Sequence, residues 1–344
     1  MIYKPLYLLC YALILVLLSS CAPYKDYKLP DKSENSFSNS GEAEVLDQWW
    51  QAFEDEELNQ TIKAGLTNNF SLNASWHRLK ASRFLARRQS SDLFPELDLT
   101  SDASRKINDG SKTDLLTAGP MASYEVDIWG RIRSEARAED LRAEASEKAF
   151  KTAAITLSSD IAITWVRLVE ANNQLELLNS QIDTNKKALE ALRARFGVGQ
   201  VRSSDILRQK LLIKGVEAEK INVETRIQTL EHQLAILLGE APQNKNYPDD
   251  KDLPKLPDLP KTGLPSELVE RRPDIQEAFL KIKAADEDLA AAVRDQYPSI
   301  NISASYLSES ATAGDLFTGW ITRLAAGISA PVFDGFQRRS EVYR

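Results

Sequence analysis

Two histidines and two cysteines are the residues in this 344-residue chain best suited to acid–base, metal or thiol chemistry. His77 stands in a Trp-His-Arg setting and His232 in Glu-His-Gln, far apart on helical stretches, and each reads as a solvated or seam residue, not as a base or ligand. No metal-ligand spacing, nucleophile elbow or phosphate-binding loop occurs. The cysteines point to one specific reaction. Lys4 precedes an apolar run from Leu6 to Leu18 that is too short for a comfortable bilayer span, and Leu18-Ser19-Ser20-Cys21 follows it. That is the pattern of a bacterial lipoprotein signal, with cleavage before Cys21, diacylglycerol on its thiol and a further acyl chain on its new amine. Each buried CH₂ contributes roughly 0.8 kcal/mol, and two or more chains make a stable anchor. Cys10 leaves with the signal, so the mature chain has no disulfide and no free-thiol chemistry. No cofactor is expected beyond the covalent lipid on Cys21. Ala22 is not the aspartate that resembles an inner-membrane retention signal, so the expected destination is the outer membrane.

Net charge is −7 and becomes −8 when residues 1–20 are removed, since Lys4 is the one charge lost. Such a chain has no electrostatic footprint for nucleic acid. Hydrophobic residues make up 43% and charged residues 27%, mostly in alanine-rich amphipathic stretches. Elongated helices packed through narrow seams fit this composition better than one globular core. The Glu and Arg residues of 131–151 read as a solvated helix face.

The positioning elements follow from periodicity. Residues 21–46 read as an extended, lipidated tether. From Asp47 to about Ser91 the pattern is helical, broken at Asn68-Asn69. A β-hairpin is expected over about 96–128, with Leu116, Ala118, Pro120, Ala122, Tyr124, Val126 and Ile128 on one face and mostly polar residues on the other. Between Gly130 and Gly197 lie 66 residues without glycine or proline, enough for a helix of roughly 100 Å. Ala154, Ile161, Leu168, Leu175, Ile182, Leu189 and Phe196 recur every seven residues, with Leu157, Thr164, Ala171, Leu178, Asn185 and Leu192 three later. This is a coiled-coil seam. Phe196-Gly197-Val198-Gly199-Gln200 ends that helix, and Ser204-Asp205 is expected to cap the next, giving a long antiparallel hairpin over 131–238. Pro254, Pro257 and Pro260 favour an extended linker over 243–265.

The pattern then recurs. A helix is expected over 273–296, opened by Pro273, and a second hairpin over about 299–333. Tyr297-Pro298 matches Phe94-Pro95 at an offset of 203, and Gly335 matches Gly130 at 205. The chain thus divides into a first unit, 47–242, and an incomplete second, 266–344. In the second hairpin Ile300, Ile302, Ala304 and Tyr306 alternate with Ser299, Asn301, Ser303 and Ser305, and Leu324, Ala326, Ile328, Ala330 and Val332 share the other strand's apolar side. Such two-faced strands suit a barrel with lipid outside and water inside. Two hairpins cannot close a barrel, and no open edge is tolerated in lipid, so several chains must share one.

These residues resemble the TolC-like outer membrane factor family, in its lipoprotein branch that serves resistance-nodulation-division efflux pumps. The resemblance rests on Cys21 with Asp26-Tyr27-Lys28-Leu29-Pro30, on Trp49-Trp50-Gln51-Ala52-Phe53-Glu54-Asp55, on Ser123 to Arg131, and on Leu264 to Ile275. It implies a mainly α fold in which coiled-coil helical hairpins form a periplasmic tunnel, and a homotrimer whose protomers each give four strands to a twelve-stranded barrel in outer-membrane lipid. The implied function is a passive efflux conduit. It also implies that Phe196, Gly197, Val198, Gly199, Gln200 and Asp205 form a tip that docks on a periplasmic adaptor, and through it on an inner-membrane pump. Gln200 stands where a leucine is common. The alternatives are a type I secretion channel, an adaptor, which would need many short strands, and a purely structural coiled-coil lipoprotein, which would need no two-faced hairpins. The exported substrate is not fixed by these residues. Gate residues are expected in helices beyond Arg344. The second unit has 8 residues after Gly335-Phe336, so a longer reading frame with on the order of 110 more residues is expected, and the chain by itself is not expected to form a sealed conduit.

Overall fold

A computed structural model describes residues 48–108, 111–242, 252–259 and 270–344. Residues 1–20, the tether 21–46 with Cys21, and much of the linker, including Pro260, lie outside the described residues. A 3-10 turn at Trp49–Phe53 leads into α1 (Glu56–Asn68) and α2 (Phe70–Ser91). Then come β1 (Glu96–Asn108), β2 (Ser111–Glu125), α3 (Arg131–Gly197), α4 (Ser203–Leu237), α5 (Pro273–Arg294), β3 (Ser299–Ser310), β4 (Ile321–Ser329) and α6 (Gln337–Tyr343).

Polar caps divide the first helical stretch. Asp55 accepts from the backbone N–H groups of Glu57 and Leu58 at 3.0 and 3.1 Å, satisfying donors that α1 cannot satisfy itself. Asn69 does the same for α2 through Leu72 N–H at 2.9 Å, and its amide also donates to the Leu237 carbonyl at 2.9 Å. Both caps are tied to the main core. Asp55 accepts from the indole N–H of Trp165 at 3.0 Å. Around that indole, Trp50, Leu58, Ile62, Leu72, Leu157, Ile161, Leu168 and Leu234 are packed out of water, each large apolar side chain contributing ~1.5–3 kcal/mol.

The seam holds over the core-proximal part of α3. Leu157, Ile161, Thr164, Leu168, Ala171, Leu178, Ile182 and Leu189 are buried, against Ile213, Val223, Leu230 and Leu234 of α4. Asn185 is a polar rung in this seam, its side-chain and backbone carbonyls accepting from the Gln209 amide at 2.9 and 3.1 Å, which fixes the register of the two helices. The expected seam nevertheless stops short of the tip. Phe196 is 47% exposed, because α4 begins seven residues beyond it and offers nothing to cover its ring.

The strands form one antiparallel sheet in the order β1-β2-β3-β4. Register gathers the apolar side chains on one side: Leu97 faces Ala122, Ala122 faces Ala304, Tyr124 faces Ile302, and Ile300 faces Ile328. Glu96, Ser123, Ser303, Ser305 and Arg323 share the opposite side. Among the described residues nothing covers the apolar side, with Leu99, Leu324 and Ile328 at 85%, 80% and 74% exposure. A sheet face of this kind is stable only against lipid or another apolar surface.

Several expected boundaries move, each for a local reason. The helix expected over 273–296 ends at Arg294, since Pro298 disfavours helix before it and Asp295, Gln296 and Tyr297 close the end with bonds to Ala291, Val293 and Arg294 carbonyls. The first hairpin ends at Glu125, short of 128, because Asp127 turns back to cap α3. The second ends at Ser329, short of 333, so Ala330 and Val332 are not in a strand. Ser204 does not cap α4; Asp205 does so from the third helical position, accepting from Arg202 N–H at 3.0 Å. The segment 252–259, with Pro254 and Pro257, has no regular secondary structure.

Candidate functional site

Two regions carry polar or exposed features that packing alone does not require. The first is the reversal between α3 and α4. Val198 ends the helix, Gly199 takes φ +76°, its N–H donates to the Phe196 carbonyl at 2.9 Å, and Gln200 N–H donates to the Arg195 carbonyl at 2.9 Å. These paired bonds close the helix end in the left-handed turn that glycine adopts without a steric penalty. A Cβ on Gly199 would meet no atom, so substitution there is opposed by backbone conformation alone, about 1–2 kcal/mol. Val198 is 70% exposed, beside the half-exposed Phe196 ring. The turn therefore presents apolar side chains and the Gln200 amide from a rigid frame, with the Asp205 carboxylate at the positive end of the α4 dipole. Phe196, Gly197, Val198, Gly199, Gln200 and Asp205 all lie in this one reversal.

The second region is the collar where strands pass into helices. Asp127 accepts from the backbone of Ile132 and Arg133 at 3.2 and 3.0 Å and so starts α3. Arg131 bridges Glu125 at 2.8 Å and Glu135 at 2.7 Å. Ser134, 1% exposed, donates to the Glu287 carboxylate at 2.6 Å and is bonded by Arg294, whose guanidinium also donates to the Gly130 carbonyl at 3.1 Å. Arg338 reaches both Asp295 and Asp334, at 2.8 and 3.2 Å. Trp129 donates to the Pro298 carbonyl at 2.7 Å and lies 5.2 Å from the Tyr297 ring, joining the two hairpins. Burial pushes the Glu135 carboxyl above its ordinary range, with Arg131 opposing. Burial also raises Asp288, again opposed by its bonded partner Arg142.

The Glu and Arg side chains of 131–151 are half-buried or exposed, but the face between them packs on α5. Ile132, Ser134, Ala136, Ala138 and Ala145 are buried, with Ala284 and Ala291 of α5 on the facing side. The available signal was the run of small residues, Ser134, Ala138 and Ala145, matched by Ala284 and Ala291 seven apart. Small side chains at such spacing let two helices approach closely. His77 and His232 are exposed and sit on different helices. Among the described residues no group of three or more His, Cys, Asp or Glu is placed to hold a metal.

A bare apolar sheet face, a 67-residue helix and an exposed hairpin tip together describe a conduit wall, and comparison with known proteins agrees. The family model for outer membrane efflux protein matches residues 61–240 and 264–344. The chain belongs to the outer membrane efflux protein family. It is similar to the pyoverdine export outer membrane protein OpmQ of Pseudomonas aeruginosa, 28% identical, over 98% of this chain and 74% of that protein. The probable efflux pump outer membrane protein TtgC of Pseudomonas putida is 27% identical over 95% of this chain and 72% of that protein. Among solved structures, the outer-membrane channel OprN superposes with a TM-score of 0.84 at 23% identity, over 94% of this chain and 76% of that one. The CmeC outer membrane channel of Campylobacter jejuni gives 0.81 at 20% identity, over 94% and 73%. The fold is that of outer-membrane efflux channels, and the function of this family member is that of an outer-membrane efflux channel component.

Proposed function

We propose that three copies assemble into a twelve-stranded barrel in the outer membrane, anchored also by lipid on Cys21. Their α3–α4 hairpins extend into the periplasm as a tunnel wall. The Val198-Gly199-Gln200 reversal docks on a periplasmic adaptor, which connects the conduit to an inner-membrane pump. The observation that carries this is the four-stranded sheet, whose apolar face is bare and whose outer edges, β1 and β4, have no neighbouring strand among the described residues. Such edges and such a face are satisfied together only by closure with further copies in lipid. The tip supports the docking role through its rigid frame and exposed Val198 and Phe196.

Cargo is a property of the pump in this proposal. Relatives named for pyoverdine export, antibiotic efflux and toluene efflux match this chain at 28%, 27% and 27% identity, so similarity of the channel does not follow cargo. The test is Gly199→Val in the expressed protein. A β-branched residue at φ +76° distorts the turn, so adaptor cross-linking and drug export should both fall at least severalfold while the protein still reaches the outer membrane. Wild-type cross-linking and export would remove the docking role.

A further inference from the structure

The side of the sheet that carries Ser303 and Ser305 is not uniformly polar. Register sets one row across all four strands, in which Asp98 faces Met121, Met121 faces Ser305 and Ser305 faces Arg323. In the next row toward the β3–β4 turn, Thr100 faces Gly119 and Leu307 faces Ile321. Gly119 and Leu307 adjoin, because a Cβ on Gly119 would lie 3.0 Å from the Leu307 Cα. A third row follows, in which Asp102 faces Thr117 and Thr117 faces Glu309. Side chains in these three rows alternate with those of Leu99, Ile302 and Leu324, so they stand on the opposite side from the lipid-facing band.

Met121, Leu307 and Ile321 therefore make one apolar patch on the water-facing side. Leu307 and Ile321 are directly opposed, roughly 5 Å apart at Cβ, and Met121 is a diagonal neighbour of Leu307 at ~7–8 Å. Met121 and Ile321 are 37% and 40% exposed, and Leu307 is half-buried. Single exposed apolar residues need no explanation, whereas a contiguous group rimmed by polar residues marks a contact surface. Met121 suits such a surface, since its unbranched thioether adapts to differently shaped partners. Charge around the patch is one-sided. On the β4 side Arg323 bridges Glu309 at 2.6 Å across the Leu307–Ile321 pair, so both of those charges are taken. On the β1 side Asp98 and Asp102 are exposed, and among the described residues neither holds an ion pair. They stand in the rows before and after Leu307, two strands away and about 10 Å from it.

We propose that this patch is a contact site for amphiphilic organic cations, which lay an apolar body on Met121, Leu307 and Ile321 and place their positive group beside Asp98 or Asp102. The proposal rests on the reading that this face of the sheet lines the conduit, and it leaves the choice of cargo with the pump. The geometry selects by two requirements at once. An inorganic cation has no apolar body to cover the patch, and an anionic amphiphile of the same size meets the two free carboxylates. A rigid ring system about 10 Å long satisfies both ends together. Because the acids stand in water and the patch is open, the contact is shallow and quickly reversed, as passage through a conduit needs.

Protection of a single cysteine tests this in outer membranes that hold the full chain. Ser305→Cys lies in the row of Met121, and ethidium, a fused-ring organic cation, should slow its labelling by a water-soluble maleimide severalfold. Asn301→Cys, about 13 Å along the same strand, should label at an unchanged rate. Protection should weaken as salt is raised, and should need severalfold more ethidium in Asp98→Asn with Asp102→Asn, and again in Leu307→Ser with Ile321→Ser. Ile302→Ser with Leu324→Ser, on the other side of the sheet, should leave it intact. Anilinonaphthalene sulfonate, an aromatic anion, should give no protection at the same concentration. A Ser305→Cys that labels freely whatever the ethidium concentration, protection that survives both pairs of substitutions, or equal protection by the anion overturns the contact site and leaves the channel reading standing. A Ser305→Cys that labels only after detergent is added overturns the channel reading as well.

Discussion

Asp55 joins two structural tasks in one side chain, so its removal has a calculable cost. One carboxylate oxygen caps α1 through Glu57 and Leu58, and the other accepts from Trp165, which is 2% exposed in the main core. Replacing an aspartate cap by alanine costs about 1 kcal/mol, and a hydrogen bond to a charged acceptor is worth ~1.5–3 kcal/mol. Asp55→Ala should therefore destabilise the core by about 3 kcal/mol. In a Trp165→Phe background the same substitution should cost only the capping share, about 1 kcal/mol, leaving a coupling of roughly 2 kcal/mol between the two sites. Urea unfolding of the intact chain in detergent reads both numbers, followed by tryptophan fluorescence, with Trp50 still in the core to report when Trp165 is gone. Equal costs of Asp55→Ala in the two backgrounds would refute the dual role, and a cost under about 0.5 kcal/mol would refute the capping argument too.

Two other predictions concern the collar. Ser134→Ala removes the hydroxyl that Glu287 and Arg294 share, so the α3–α5 contact should lose ~1–3 kcal/mol and limited proteolysis near 295–298 should accelerate; unchanged stability and cleavage would show that the network is not what joins the helices. Burial raises the Glu135 carboxyl, and a raised acid favours the folded state while protonated, so its contribution is full below the ordinary glutamate pKa and is lost as pH rises through the raised value. Glu135→Gln should accordingly gain stability relative to wild type as pH rises above the ordinary glutamate pKa of about 4.3, and parallel melting profiles for the two proteins would contradict the assignment.

Much of this architecture is written in local pattern. The alternation in 299–306 and the heptads of 154–189 depend on neighbours a few residues away, so the strand faces and the seam can be read directly. The hairpin reversal is legible for the same reason, because Gly197-Val198-Gly199 breaks a helix and Asp205 can start another. The collar is different. Ser134 and Glu287 are 153 residues apart, and each by itself looks like part of a solvated helix face. What brings them together is the approach of α3 and α5 over alanine, a tertiary fact that charge patterning conceals. The boundary errors have the same origin: Asp127 alternates correctly as a strand residue, yet its carboxylate is taken by the start of α3, and the demand for a helix cap wins over the pleat.

The central claim is that the sheet forms part of a membrane barrel with its polar face toward a water-filled lumen. Single cysteines placed one at a time through residues 299–310 of the chain, in outer membranes, and labelled with a water-soluble maleimide test it most directly. Odd positions such as Asn301, Ser303 and Ser305 should react, and even positions such as Ile300, Ile302 and Ala304 should be protected until detergent is added. Equal labelling of both parities in intact membranes, as a water-soluble sheet would give, would contradict it.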